Sequence, residues 1–399
     1  MTSSAKTSLK PIHPFPARMA PEIALAALSK LPPGSIVLDP MTGSGTAVRF
    51  ASEKGHHGLA FDRDPLAVLM TKVWTTPICT KRLRQKAVDV AEAATRLEPL
   101  LIHLPWIDDD QETDEFVSFW FGMVQRDDLR RLSSVLLRCR GPIADALRVA
   151  FSRIIITKKR GASLAWDVSH SRPHKKRDEN DFLVIPEFLK SVDFIAKRLE
   201  DQPPLGNVRV GIGDARNLRT LADASVDAVL TSPPYLNAID YMRGHKFTLI
   251  WLGHTISELR STRSENIGSE KYPGHGVDET VADNICASMP SIDQLPDREL
   301  GIFRRYILDL AMMMAELKRV LKPKGRAILV IGNSCLKGVF IENALAVSAA
   351  AVHVGLTPTK PYERQLPSNR RYLPPPTSSE ESDLRKRMRT ESVLGFRKP

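Results

Sequence analysis

The sequence predicts an α/β fold: a doubly wound, mostly parallel sheet with a largely helical insertion. Three observations carry this. Residues 35 to 74 run in the order β-turn-α-β-α, the opening of a parallel sheet. Residues 80 to 205 lose that alternation and continue in charged segments of helical spacing. Short apolar runs then return at 207–215, 225–230 and 327–333, so the sheet resumes after the insertion.

Taken in order, residues 1 to 12 read as a flexible start. PEIALAALSKL (21–31) has helical spacing with Pro21 in the first turn, and PPG ends it. SIVLDP (35–40) is a short buried strand, MTGSGT a turn, and AVRFASEKG (47–55) a helix closed by Gly55. HGLAFD (57–62) is the second strand and PLAVLMTKVW (65–74) the second helix. The insertion follows. Its stretch 157–180 is basic and short of apolar residues. After it, NVRVGIGDA (207–215) and SVDAVL (225–230) are strands, and 239–253 is an amphipathic helix. Residues 254 to 298 are polar and read as a loop. A long helix at 298–322 turns through PKGR into the strand AILVIGN (327–333). The tail holds PSNRRYLPPP (367–376), a charged helical stretch and a last strand at 391–396. The division that follows is 1–79, 80–205 and 206–399.

The 399 residues are 42% hydrophobic and 26% charged, enough to bury a real core. The formal net charge of +11 favours a polyanionic partner, nucleic acid before membrane. No apolar run approaches the roughly 20 residues that a membrane helix needs, and the first ten residues lack the apolar centre of a signal peptide. Cys79, Cys139, Cys286 and Cys335 form no CxxC pair and fit a reducing cytosol.

DPMTGSGT (39–46) ends a strand at Asp39 and carries Pro40, Thr42, Gly43, Ser44, Gly45 and Thr46 into a helix. Glycines there permit close backbone approach, and the helix N-terminus offers free N–H groups. The turn matches neither GxGxxG nor GxxxxGK[ST]. Asp62 ends the second strand about twenty residues on, where a carboxylate accepts from a ribose diol. Asp214, followed by Ala215, ends a third strand within reach of an adenine amine.

Ser232, Pro233, Pro234 and Tyr235 follow the strand SVDAVL. Two prolines hold a short segment in one shape. For a substrate that is an exocyclic amine of a nucleobase, the lone pair is delocalised and the nitrogen is a poor nucleophile. The Ser232 hydroxyl and the Pro233 carbonyl are rigid acceptors for its two hydrogens, and preorganised dipoles of this kind favour reaction. Tyr235 offers a face for an extruded base.

These residues resemble the S-adenosylmethionine-dependent amino-methyltransferases of DNA that bear an SPPY motif. DPMTGSGT resembles the cofactor loop and TSPPY the catalytic motif. HPFPARMAPEIA (13–24), with His13, Phe15 and Pro16, resembles the segment that covers the methionine end of the cofactor. GLAFDRDPLA and GDARNL resemble the second and third cofactor motifs. The resemblance spans 1–75 and 206–399 and implies a Rossmann-like methyltransferase sheet of about seven strands, S-adenosylmethionine, a flipped base and no metal. It makes 1–79 the cofactor-binding half and 206–399, with the loop 254–298, the catalytic half. Serine in the motif implies N4 of cytosine in a specific DNA sequence, where Asp or Asn is usual for N6 of adenine. The cofactor motifs precede the catalytic one, and the insertion separates the second cofactor motif from the third, so the segment that reads the sequence is not marked. A companion restriction endonuclease and a prokaryotic cytoplasm, beside the DNA, go with the resemblance.

Two basic segments suit phosphate contact. One holds Lys158, Lys159, Arg160, Arg172, His174, Lys175, Lys176 and Arg177, the other Arg364, Arg370 and Arg371 beside Tyr372. The loop 254–298 is a third. The histidines of SHSRPH lack a Cys or carboxylate at ligand spacing, so no metal site is expected. C5 methylation of cytosine needs a cysteine nucleophile, and none follows a proline at a strand end. The competing readings are N6-adenine methylation, RNA amino-methylation, and a DNA-binding regulator that keeps the fold without turnover.

Overall fold

The computed structural model describes residues 9–15, 18–155, 157, 160–166, 173–175, 177–236, 240–269, 279–366 and 390–399. Helix α1 (Pro21–Leu28) precedes β1 (Ile36–Asp39), α2 (Thr46–Glu53), β2 (His57–Asp62) and α3 (Pro65–Thr75). Then come α4 (Thr80–Thr95), α5 (Pro105–Asp108), α6 (Gln111–Trp120), α7 (Met123–Leu136) and α8 (Pro142–Ile155). A small hairpin, β3 (Ala165–Trp166) and β4 (His174–Lys175), leads to α9 (Val184–Asp201). The sheet resumes with β5 (Val208–Ile212) and β6 (Val226–Thr231), followed by α10 (Met242–Leu249), α11 (Ile256–Ser264), α12 (Thr280–Ser288) and α13 (Asp297–Val320). The chain finishes with β7 (Leu321–Gly332), a hairpin of β8 (Ser334–Leu336) and β9 (Val339–Ile341), α14 (Asn343–His353), β10 (Thr357–Pro358), β11 (Tyr362–Gln365) and β12 (Thr390–Arg397).

The main sheet has the order β10-β12-β7-β6-β1-β2-β5, with β11 also paired to β12. The strands from β7 to β5 are parallel to their neighbours, and β12 runs antiparallel to β7. The period-2 alternation of a strand decides which face each residue serves. Val37, Leu230, Val330 and Val393 pack with α1 and α2 on one face. Their neighbours Leu38, Val229, Leu329 and Leu394 pack with α12, α13 and α14 on the other. The expected doubly wound sheet is present: seven strands follow one another in it among the described residues, and β11 pairs beside them.

The segment 254–298, of which 270–278 lie outside the described residues, is not the expected loop in its described part. It forms α11, α12 and a short 3-10 turn at Ile292–Gln294. Thr255 caps α11 in a capping box with Glu258, which satisfies free N–H groups at both positions. Ile256 and Leu259 are buried on α11, and Val281, Ala282 and Ile285 bury α12 beside α13. The segment is polar on average, but its few apolar residues sit at helical spacing. Strand β7 begins six residues before the expected 327, at Leu321. A register shift between Val226/Leu321 and Ala228/Arg326 absorbs the turn PKGR inside the pairing.

One apolar cluster joins the insertion to the rest of the chain. It runs from Phe15, Leu66 and Trp74 through Leu132, Phe151 and Phe188 to Phe247 and Trp251.

Candidate active site

Strands β1, β2 and β6 end side by side, and a cavity of about 500 Å³ opens at their tips. That is where ligands bind in open α/β sheets, beyond the carboxyl ends of the strands. The turn after β1 supplies one wall: Asp39, Pro40, Thr42, Gly43, Ser44 and Thr46 line the cavity. Gly45 stands behind it as the left-handed N-cap of α2 with φ 81°, where an added Cβ would lie 2.8 Å from Thr71 Oγ1. A Cβ on Gly43 would come within 3.1 Å of the Phe15 ring, so that glycine lets the turn and the ring meet.

The acids at the strand tips have distinct tasks. Asp39 accepts from the Thr231 hydroxyl at 2.6 Å and from Met41 N–H at 3.3 Å. Burial outweighs both bonds and pushes its carboxyl up to about 7. Asp62 accepts from Gly43 N–H at 2.8 Å and Asp64 N–H at 3.0 Å. Burial, with the Asp64 charge, pushes it up to about 6. Asp214 also lines the cavity, but its oxygens are taken. Arg63 donates to it at 2.5 Å, and Arg216 donates through its backbone N–H, Nε and Nη2 at 2.9, 3.1 and 2.8 Å. Burial opposes its charge, yet these arginines hold the carboxyl below the usual range. Asp214 therefore orders Arg63 and Arg216, which leaves it poorly placed to accept from an adenine amine. Ala215 lines the cavity beside it.

Phe15 lines the cavity and stacks on Tyr241, with ring centroids 4.7 Å apart. His13 stands behind it, buried between the Pro14 carbonyl and the Ser152 hydroxyl, each at 2.7 Å. Burial and the nearby Arg153 charge lower His13 to about 3, so it is neutral. Pro16 lies outside the described residues. Buried His245 and half-buried Asp64, unmarked in the sequence, form a hydrogen-bonded pair beside Phe15 and Tyr241.

Ser232, Pro233, Pro234 and Tyr235 form the facing wall. Ser232 donates to the Val330 carbonyl on β7 at 2.9 Å. The bond fixes the hydroxyl proton and leaves the oxygen an acceptor. The Pro234 carbonyl accepts from Tyr306 at 3.1 Å, while the Pro233 carbonyl accepts no hydrogen bond from another described residue. Asn343 at the start of α14 accepts from Leu236 N–H at 3.4 Å and holds the exit of the motif.

At the mouth of the cavity stand Arg243 on α10 and Arg260 and Arg263 on α11. Arg243 donates to Asp240 at 3.0 Å, Arg263 also pairs with Asp240, and Arg260 pairs with Glu112. The i, i+3 spacing of Arg260 and Arg263 was a visible signal within the segment already marked for DNA contact. Of the basic candidates in the insertion, Arg160 pairs with Asp181, Lys175 sits 5.0 Å over the Phe119 ring, and His174 is exposed. None of the three lines the cavity. Lys158, Lys159, Arg172, Lys176, Arg370 and Arg371 lie outside the described residues.

The donor set suits S-adenosylmethionine. Thr42 Oγ1 is buried on the cavity wall with no partner among the described residues, Asp62 closes β2, and the glycine turn brings backbone against the Phe15 ring. No helix among the described residues is long and apolar enough to cross a membrane.

No protein-family model matches the chain. It is 24% identical to the type II methyltransferase M.MvaI of Kocuria varians over 90% of this chain and 84% of that protein. It is 24% identical to the type II methyltransferase M.BsoBI of Geobacillus stearothermophilus over 59% of this chain and half of that protein. A TehB-like SAM-dependent methyltransferase of Corynebacterium glutamicum aligns over 94% of this chain and 86% of its own at 11% identity, with a TM-score of 0.30. The motifs, the strand tips that carry them and the near-full-length likeness to M.MvaI agree: the chain is similar to the type II methyltransferases, and its site fits S-adenosylmethionine.

Proposed function

We propose that the protein methylates DNA at the exocyclic N4 amine of cytosine, in a specific sequence and on a base turned out of the helix. The observation that carries this reading is the state of the two acceptors. Ser232 spends its only proton on Val330, and the Pro233 carbonyl takes no donor from the described residues, so both residues line the cavity with an acceptor to offer. An amine whose two hydrogens point at them loses delocalisation into the ring and gains nucleophilicity. Tyr235 stacks on the base, and Tyr306 keeps the motif from shifting by holding the Pro234 carbonyl.

Phe15, Thr42, Gly43 and Asp62 would hold S-adenosylmethionine. When bound, it supplies a methyl group activated by a positive sulfonium. The chain's task is to orient the amine, exclude water and hold both partners at fixed separation. The likeness to type II methyltransferases supports DNA as the substrate. Arg243, Arg260 and Arg263 at the mouth, with Arg160, His174 and Lys175 of the insertion, are the candidates for phosphate contact. The protein then works in the cytoplasm, on the genome. N6 of adenine is the second reading, since the same two acceptors suit its amine.

The test is mass spectrometry of nucleosides from DNA of cells that express the protein, beside S232A. N4-methylcytosine that vanishes in S232A is the expected result. N6-methyladenine would move the reading to adenine. No modified base in DNA would overturn it, in favour of RNA or a regulator without turnover.

A further inference from the structure

The cavity has a wall that neither the glycine turn nor the SPPY motif supplies. Asn266, Ile267, Gly268 and Ser269 line it, immediately after α11. They form one tight turn: Ser269 N–H donates to the Asn266 carbonyl at 2.9 Å, and Gly268 has φ 74°. Glycine with positive φ at the third position is what a type II turn requires.

The turn is anchored to the buried machinery. Arg216 donates to the Glu265 carbonyl at 2.5 Å, and Gly268 N–H donates to Asp309 at 3.0 Å. Asp309 is three residues along α13 from Tyr306, the residue that holds Pro234. One helical face thus fixes both the catalytic motif and this turn. A Cβ at Gly268 would meet the Tyr306 ring at 3.2 Å, so the turn rests directly on it. Asn266 is half-buried on the cavity wall, and its carboxamide makes no hydrogen bond to another described residue. A polar amide on an anchored cavity wall, unpartnered among the described residues, is available to a ligand.

We propose that Asn266 holds the ring edge of the flipped target base. Its Nδ2 donates to the ring nitrogen beside the amine, N3 of cytosine or N1 of adenine. This rests on the methylation reading above and adds a contact to it. Ser232 and Pro233 take the hydrogens of the amine, and Asn266 fixes the rotation of the ring that carries it. Thymine presents an N–H at the same place and is disfavoured.

The test is methyl transfer to an oligonucleotide with the mapped site, and to the same oligonucleotide with 3-deazacytosine (or 1-deazaadenine) at the target. N266A should lower kcat/KM about 10- to 100-fold with cofactor affinity unchanged. The deaza substrate should cost the native enzyme a similar factor and cost N266A nothing further, a coupling that a merely structural role would not produce. N266D keeps the shape and loses the donor, so it should fail as N266A does, which covers a folding defect in the alanine variant. Native-like rates in both variants, or losses that multiply independently, would overturn the contact while methylation stands. No transfer to DNA by the native enzyme would overturn both.

Discussion

The Thr231 hydroxyl donates to Asp39 across the seam between β6 and β1, at 2.6 Å. Each residue ends a strand, and each opens a different wall of the cavity. Asp39 leads into the glycine turn and Thr231 into Ser232. The bond sets the spacing between the two walls, and a transfer reaction is sensitive to such spacing at the scale of an ångström.

Ser232→Ala should cut single-turnover methyl transfer about 10²-fold, because one preorganised acceptor is lost. The residue is exposed, so the fold and cofactor binding should be nearly unchanged, as melting and calorimetry will show. Full transfer by S232A would mean that the acceptor role is misassigned.

Asp39→Asn should change how stability depends on pH. In the fold the carboxyl keeps its proton up to about pH 7. In the unfolded chain it keeps it only to about 4. The native state therefore binds more protons between those values, and stability present at low pH is lost as pH rises through the window. The amide removes that loss. D39N should gain stability relative to the native protein by up to about 4 kcal/mol from pH ~4 to pH ~7. His13, lowered to about 3, acts in the opposite direction in both proteins and cancels from the comparison. Urea melts across this range give the difference, and parallel curves would refute the assignment.

Tyr306→Phe removes the bond to the Pro234 carbonyl and keeps the ring. The expected cost in stability is about 1 kcal/mol. The expected cost in kcat is larger than that in cofactor affinity, because the motif gains freedom while the glycine turn does not. A variant equal to the native enzyme in kcat would show that the prolines alone suffice.

Arg216→Met should be far more damaging. Arg216 is buried and pairs with Asp214 and with buried Asp309 at 2.8 and 2.6 Å. Removing it strands the buried Asp309 carboxylate and leaves Asp214 to Arg63 alone, at a cost of about 3–5 kcal/mol. Adding Asp309→Leu should restore part of the loss, since the pair is then replaced rather than broken. Denaturant midpoints measure both variants. A single variant as stable as the native chain would show that the network is dispensable.

What the sequence discloses is local. The strands that end at Asp39 and Asp62 and the helix after Gly45 are visible because apolar runs, positive-φ glycines and prolines act on their own neighbourhood. The TSPPY stretch is visible for the same reason. The occupancy of Asp214 is not, because Arg63 is 151 residues away and nothing local marks the encounter. The anchoring of Pro234 by Tyr306 and of Gly268 by Asp309 is hidden likewise. Helix α11 is a different case. Thr255 and Glu258 spell a capping box with Ile256 and Leu259 behind it, but the polar composition of the whole segment obscures four informative residues.

The apolar cluster that links Trp74, Phe188 and Trp251 bears on modularity. Among the described residues, the helices of 80–205 share one apolar interior with residues before and after them in the chain. Transplanting these helices into a related enzyme, or trimming them away to reach a minimal one, would open that interior to water on both sides of the cut. Changes to this region are better made at the surface of its helices than by exchanging the helices themselves.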